Sequence, residues 1–458
     1  MTVGPVAGEK EGAREETVDP PTSSAWGIAP VPDRLRVLGV LDTGLLWGNL
    51  GVSLLVLVAG TLLVPALSLG EALLAILVGS LIGNTMLGLA GMIGADGRVP
   101  AMVLMRAPLG RRGSWLPTVL NAAQCVGWAI FELLIIAAAA AALSDEIVGF
   151  RAQWFWTLLF GGIALVLALI GPVDVVRKLI RRFVVWAVLA SLVYLTWWAL
   201  AGEGLGAAVD RPGEGGASVL DGIDLVVAIT VSWIPLVADY TRFGRARRAA
   251  FWGTGVGYLL ASVWMWTLGV ILFFTRDVTD PAALPVAVAA GGVAATFALF
   301  AVMVDETDEA FANVYSASVS IQNLVPELPQ RALVVAVAAA ATIGALTIDL
   351  LAYETFLILL GSFFVPLFGV LLADWLAAGR RYREADVFGA PALRGGMVAS
   401  WIAGFALYQW LHPVGPSWWV ELVERTHPQD LGVGATLPSF AATFVLATLV
   451  ARFGGRRL

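Results

Sequence analysis

Long apolar runs alternate with short polar connections along almost the whole chain. Crossing the hydrocarbon core of a bilayer takes about 20 helical residues. Runs of that order stand near residues 41–65, 69–93, 115–143, 153–172, 182–201, 222–239, 251–275, 293–320, 331–350, 354–378, 395–412 and 436–452. Lipid offers the backbone no water to bond to, so each run predicts a helix. The pattern predicts an all-α polytopic membrane protein with twelve transmembrane helices.

Two runs weaken near their centres. Trp47-Gly48-Asn49-Leu50-Gly51 interrupts the first, and Ser232-Trp233-Ile234-Pro235 the sixth. Glycine and proline both disfavour a helix interior. Interrupted helices at corresponding places in two halves point to a transporter binding site at the midplane.

The third run reads GSWLPTVLNAAQCVGWAIFELL from Gly113 to Leu134. Its Asn121, Gln124, Trp128 and Glu132 are spaced by 3, 4 and 4, which puts them on one helix face. An indole is a flat apolar wall for a planar heterocycle. Glu132, one turn on, accepts hydrogen bonds from ring or exocyclic N–H groups.

The eighth run carries Asp305-Glu306-Thr307-Asp308-Glu309 directly after the apolar stretch that ends at Val304. A carboxylate at mid-bilayer costs about 3 kcal/mol even on the lenient insertion scale, so such a cluster lines a cavity or lies outside the membrane. In the second case these residues are a solvated loop. The next basic residue is Arg331, however, and the intervening FANVYSASVSIQNL keeps helical spacing. The cavity is therefore preferred, and Asp305, Glu309, Ala312, Ser316 and Ser320 form a stripe suited to a hard cation or a proton shared among carboxylates.

Composition agrees, with 59% hydrophobic and 14% charged residues. Short cytoplasmic loops collect Lys and Arg, and with the N-terminus inside, 24 of the 28 basic residues fall on the inner side. Arg151, Arg211, Arg276 and Arg425 are the exceptions. A wrong span count would reverse this asymmetry partway along, so both termini are placed in the cytoplasm and the protein in the cytoplasmic membrane. The acidic first 30 residues predict a disordered cytoplasmic tail, and no signal peptide is expected. A net charge of −6 gives no reason to expect nucleic acid. The single Cys125, with His412 and His427 as the only histidines, argues against an intrachain disulfide, a His-based metal site or a cofactor held by such groups. A membrane-embedded enzyme would need a nucleophile–base pair or metal ligands in the spans, which the pattern does not offer. No obligate protein partner is evident.

Three blocks carry a family resemblance. Gly94 to Pro117 (GADGRVPAMVLMRAPLGRRGSWLP), with Gly127-Trp128 beyond it, resembles a signature of the nucleobase–cation symporters, bacterial cytosine permeases in particular. Ala238-Asp239-Tyr240-Thr241-Arg242-Phe243-Gly244-Arg245 is similar to the stretch after their sixth helix, and Leu360-Gly361-Ser362 through Ala373-Asp374-Trp375 to their tenth. The resemblance implies a five-plus-five inverted repeat with discontinuous helices 1 and 6, spanning residues 31–378, and two peripheral helices within 379–458. It implies a base stacked on Trp128 and read by Glu132, with Gln124, Asn49, Thr230 and Trp233 as further substrate-binding candidates. The family's facing aromatic falls near Ile229 or Thr230, which leaves Trp233 a turn away. A sodium site would take carbonyls near Gly48 and Gly51 and two hydroxyl positions that correspond here to Asp305 and Glu306. With Glu309 nearby, these carboxylates suit either a proton or sodium as coupling ion. The chain is thus read as a symporter importing cytosine, a purine or, alternatively, a pyrimidine vitamin precursor such as hydroxymethylpyrimidine.

Overall fold

The computed structural model describes residues 27–171, 185–276, 292–348, 353–426 and 434–453, without the side chains of 293–297, 299, 301, 304, 305, 353 and 354. The predicted tail up to residue 26, the arginine-rich connection before the fifth span, His427 and the Asp305 side chain lie outside what is described.

The described residues are nearly all helical. In chain order the helices are α1 (Val40–Asn49), α2 (Leu54–Leu62), α3 (Leu69–Gly97), α4 (Ala101–Leu104), α5 (Arg106–Leu109), α6 (Trp115–Val148), α7 (Gln153–Ile170), α8 (Val185–Leu200), α9 (Leu205–Asp210) and α10 (Val219–Ser232). They continue with α11 (Ile234–Thr241), α12 (Arg247–Arg276), α13 (Val293–Ile321), α14 (Gln330–Ala345), α15 (Tyr353–Ala377), α16 (Glu384–Phe388), α17 (Gly395–Leu411), α18 (Ser417–Glu424) and α19 (Thr436–Phe453). Every apolar run of the sequence carries a helix. By length and composition, seven spans among the described residues suffice to cross a membrane, and eight if α1 and α2 count as one.

The first run is broken outright: α1 and α2 are bent by 59° across Leu50–Ser53. Ser53 restarts the helix as an N-cap, its hydroxyl accepting from the amide of Leu55 at 3.2 Å. The sixth run is interrupted more mildly than the sequence suggests. Trp233 keeps helical dihedrals (φ −79°, ψ −18°), and the bend stays below that of the first run. Pro235 lacks the N–H a continuous ladder needs, which interrupts hydrogen bonding without reversing direction.

Two groups of helices pack together. α1, α2, α3, α10, α11 and α12 form one, and α6, α7, α8, α13 and α14 the other, while α17 and α19 pack outside against α15. Small residues allow close approach in the first group. A Cβ on Gly51 would fall 2.9 Å from Ala261 Cβ, and one on Gly60 3.1 Å from Gly269 Cα.

Candidate functional site

α13 crosses beside α6 and presents Glu306, Glu309 and Asn313 on one face, at offsets of 3 and 4. Each of these three side chains is buried. Glu306 faces the break in the first span: its Oε2 accepts from the Leu54 amide at 2.7 Å, and its Oε1 from the Ser53 hydroxyl at 2.9 Å. A carboxylate therefore closes the positive N-terminal end of α2. Asp308 takes the other side of the break, accepting from Asn49 Nδ2 at 2.6 Å. The two halves of the broken span are thus each held by a carboxylate from α13. Neither Glu306 nor Asp308 forms an ion pair among the described residues, and the same holds for Glu132.

Glu132 is fully buried on α6, and its Oε1 accepts from Asn313 Nδ2 at 2.8 Å. The second Asn313 N–H goes to the Glu309 carbonyl at 3.2 Å. One turn before Glu132, Trp128 packs edge-on against Phe356 of α15, with ring centroids 5.6 Å apart. A turn earlier still, Gln124 Nε2 donates to Asn121 Oδ1 at 2.7 Å and to the Ser232 carbonyl at 2.9 Å. That second bond lands on the last residue of α10, beside the sixth-run interruption. Asn121 in turn donates to Ser320 of α13 at 2.9 Å. The polar face of α6 is therefore bonded both to α13 and to the interruption at Ser232.

The remaining candidates stand on α1, α10, α13 and the breaks between helices. Trp233 donates to Tyr258 at 2.9 Å and stands in an aromatic cluster with Trp47, 5.7 Å away between centroids. Thr230 presses on Gly83 of α3, where a Cβ would fall 2.8 Å from its own Cβ. Gly48 and Gly51 lie against α12, facing Gly257 and Ala261. Asp305 lies on α13, with its side chain outside the described set.

Asn313 and Ser53 were not among the residues the sequence singled out, and Asp308 was named there only as a member of the acidic run. Asn313 lies four residues after Glu309 and seven after Glu306, so extending the acidic stripe as a helix face would have reached it. Ser53, a hydroxyl directly before an apolar run, carries an N-cap signal.

A family model described as permease for cytosine/purines, uracil, thiamine, allantoin matches residues 30–396. The chain is 26% identical to the cytosine permease of Escherichia coli (strain K12) over 407 residues, which cover 84% of this chain and 89% of that protein. A Bacillus subtilis (strain 168) protein classed as a purine-cytosine permease, YxlA, is 25% identical over 54% of this chain and 53% of its own length. Among solved structures, the nucleobase-cation-symport-1 family transporter Mhp1, in a closed conformation with bromovinylhydantoin bound, superposes with a TM-score of 0.70 at 20% identity, covering 93% of each chain. The fold is that of this transporter.

Proposed function

Since the chain belongs to the permease family for cytosine/purines, uracil, thiamine and allantoin, and is a transporter rather than an enzyme, we propose that it imports a planar nitrogen heterocycle, cytosine or a purine, together with a proton or sodium ion. One observation carries this reading. α13, whose Asn313 bonds to Glu132, also meets both halves of the broken span through Glu306 and Asp308. Asn313 and Glu306 are seven residues apart, or about 10 Å along the helix. Groups suited to a base and groups suited to a cation therefore share one rigid element. In this reading Trp128 is the stacking wall, Glu132 reads the ring edge with Gln124 beside it, and Glu306 and Asp308 hold the cation, with Asn49 positioning Asp308.

Helix packing supports a five-plus-five repeat. Moving five spans along exchanges the first–seventh contact (α1 with α12) for the second–sixth (α3 with α10), and the third–ninth (α6 with α14) for the fourth–eighth (α7 with α13). Twelve crossings of a cytoplasmic membrane with both ends inside accord with a cavity of about 840 Å³ lined by Arg36, Arg98, Arg245, Arg247, Arg381 and Arg383.

The test is equilibrium binding of cytosine, uracil, purines and hydroxymethylpyrimidine to purified protein, with and without sodium and at two pH values. The expected result is that at least one base binds unaltered, with an affinity that changes with the cation, because coupling between sites is reciprocal. Binding of none of them, or chemical conversion of any, would refute the reading.

A further inference from the structure

Three oxygens on the proposed substrate face have no hydrogen-bond partner among the described residues: Glu132 Oε2, Asn313 Oδ1 and Gln124 Oε1. Asn313 Oδ1 and Gln124 Oε1 are acceptors, and Glu132 Oε2 is one when its carboxyl is ionised. The orientation of both amides is fixed by their nitrogens. Gln124 Nε2 spends its two N–H groups on Asn121 and the Ser232 carbonyl, and Asn313 Nδ2 spends its two on Glu132 and the Glu309 carbonyl. Turning either amide over would set oxygen against oxygen. Buried acceptors without donors are unfavourable, so a complementary ligand must bring N–H groups.

A second, independent observation concerns charge. The exposed amides of a half-helix N-terminus at a transporter midplane are a natural seat for an anionic substrate group. Here that seat is filled from within, because Glu306 accepts from Leu54 at the start of α2. An incoming carboxylate would lose this seat and meet Glu306, Asp308 and Glu132 instead.

We propose, building on the transport reading above, that the site selects neutral or cationic heterocycles bearing an amino group and rejects both their oxo analogues and anions. The two N–H bonds of an exocyclic amino group match Glu132 Oε2 and Asn313 Oδ1, on side chains bonded to each other at 2.8 Å, while Gln124, eight residues or about 12 Å before Glu132 along α6, is left for a ring N–H on another edge of the base. Replacing the amino group by a carbonyl sets oxygen against oxygen, and a site built around such hydrogen bonds discriminates strongly.

Matched pairs test this on the wild-type protein: cytosine against uracil, adenine against hypoxanthine, and orotate as the anion, each by equilibrium binding. Amino members binding at least about tenfold more tightly than their oxo partners, with orotate the weakest, is the expected result. Oxo analogues or orotate binding as tightly as cytosine would overturn the proposal while leaving transport of heterocycles standing. Failure of every base to bind would overturn both. Glu132→Gln adds a donor where an ionised Glu132 has only acceptors, so the cytosine-to-uracil ratio should fall toward one; an unchanged ratio in a variant that still binds cytosine counts against the assignment of Glu132.

Discussion

Glu306 on α13 receives the backbone N–H of Leu54 at 2.7 Å, so the start of α2 is closed by a side chain more than 250 residues away in the sequence. This long-range acceptor adds to the local N-cap Ser53, whose hydroxyl accepts from the Leu55 amide and donates to the same carboxylate at 2.9 Å.

Removing that cap should be visible in stability. Glu306→Ala leaves the Leu54 amide without its acceptor and should cost about 0.5–2 kcal/mol, whereas Glu306→Gln keeps an acceptor oxygen and should lose less. Thermal unfolding of the detergent-solubilised protein separates them. Two variants that melt with the wild type would show the contact to be energetically idle.

Trp128 offers a second measurement. Trp128→Phe keeps a π face, while Trp128→Ala removes stacking worth about 1.5 kcal/mol along with apolar area. Affinity for the best-bound base should fall modestly in the first and at least about tenfold in the second. Near-normal binding by both would end the stacking role.

Coupling can be addressed at Asp308. Two neighbouring carboxylates without an ion pair repel unless a positive charge joins them. Asp308→Asn keeps the size and an acceptor for Asn49 but removes the charge, so substrate exchange across proteoliposomes should persist while gradient-driven accumulation is lost. In the wild type, accumulation is expected to follow an imposed pH gradient. Accumulation driven only by sodium, at equal pH on both sides, would identify sodium as the coupling ion instead.

The glycine contacts predict a further stability effect. A Cβ on Gly257 would lie 3.0 Å from Gly44 Cα and closer still to the Gly44 carbonyl oxygen. Both are backbone atoms with no rotamer to yield, so Gly257→Ala should destabilise by about 1–3 kcal/mol. At Gly70 the same change meets nothing within 4 Å, and helix propensity should make it neutral or favourable. Equal melting of the two variants would contradict close packing at Gly257.

Much of this arrangement was legible in the sequence, for reasons that also mark where reading stops. Glu132, Gln124 and Trp128 could be placed on one face because helical spacing alone fixes which residues share it. The break at Asn49 and the acidic run at Glu306 were each visible locally. Their meeting was not, because a separation of 252 residues between Leu54 and Glu306 carries no record of how α13 is rotated against α2. The same gap hid which neighbours Thr230 and Trp233 have. Both lie near the sixth-run interruption, but α10 turns Thr230 toward Gly83 and the start of α11 places Trp233 beside Tyr258. Pro235 signalled an interruption correctly, yet the dihedrals at Trp233 stay helical, since a missing N–H does not by itself dictate a bend.

The backbone-to-backbone seam joining α1 and α2 to α12 has a mechanical consequence. Where Gly44 meets Gly257 and Gly60 meets Gly269, the main chains themselves interlock, and sliding by a single residue would drive side chains into carbonyls. The links from α1, α2 and α10 to α6 and α13 described at the site are of another kind. They are discrete hydrogen bonds, among them Asn49 to Asp308, Ser53 to Glu306 and Gln124 to Ser232, and water or a ligand can replace each of them in turn. The seam acts as a weld and the hydrogen bonds as a row of fasteners, so this molecule yields most cheaply along the surface where its polar residues meet.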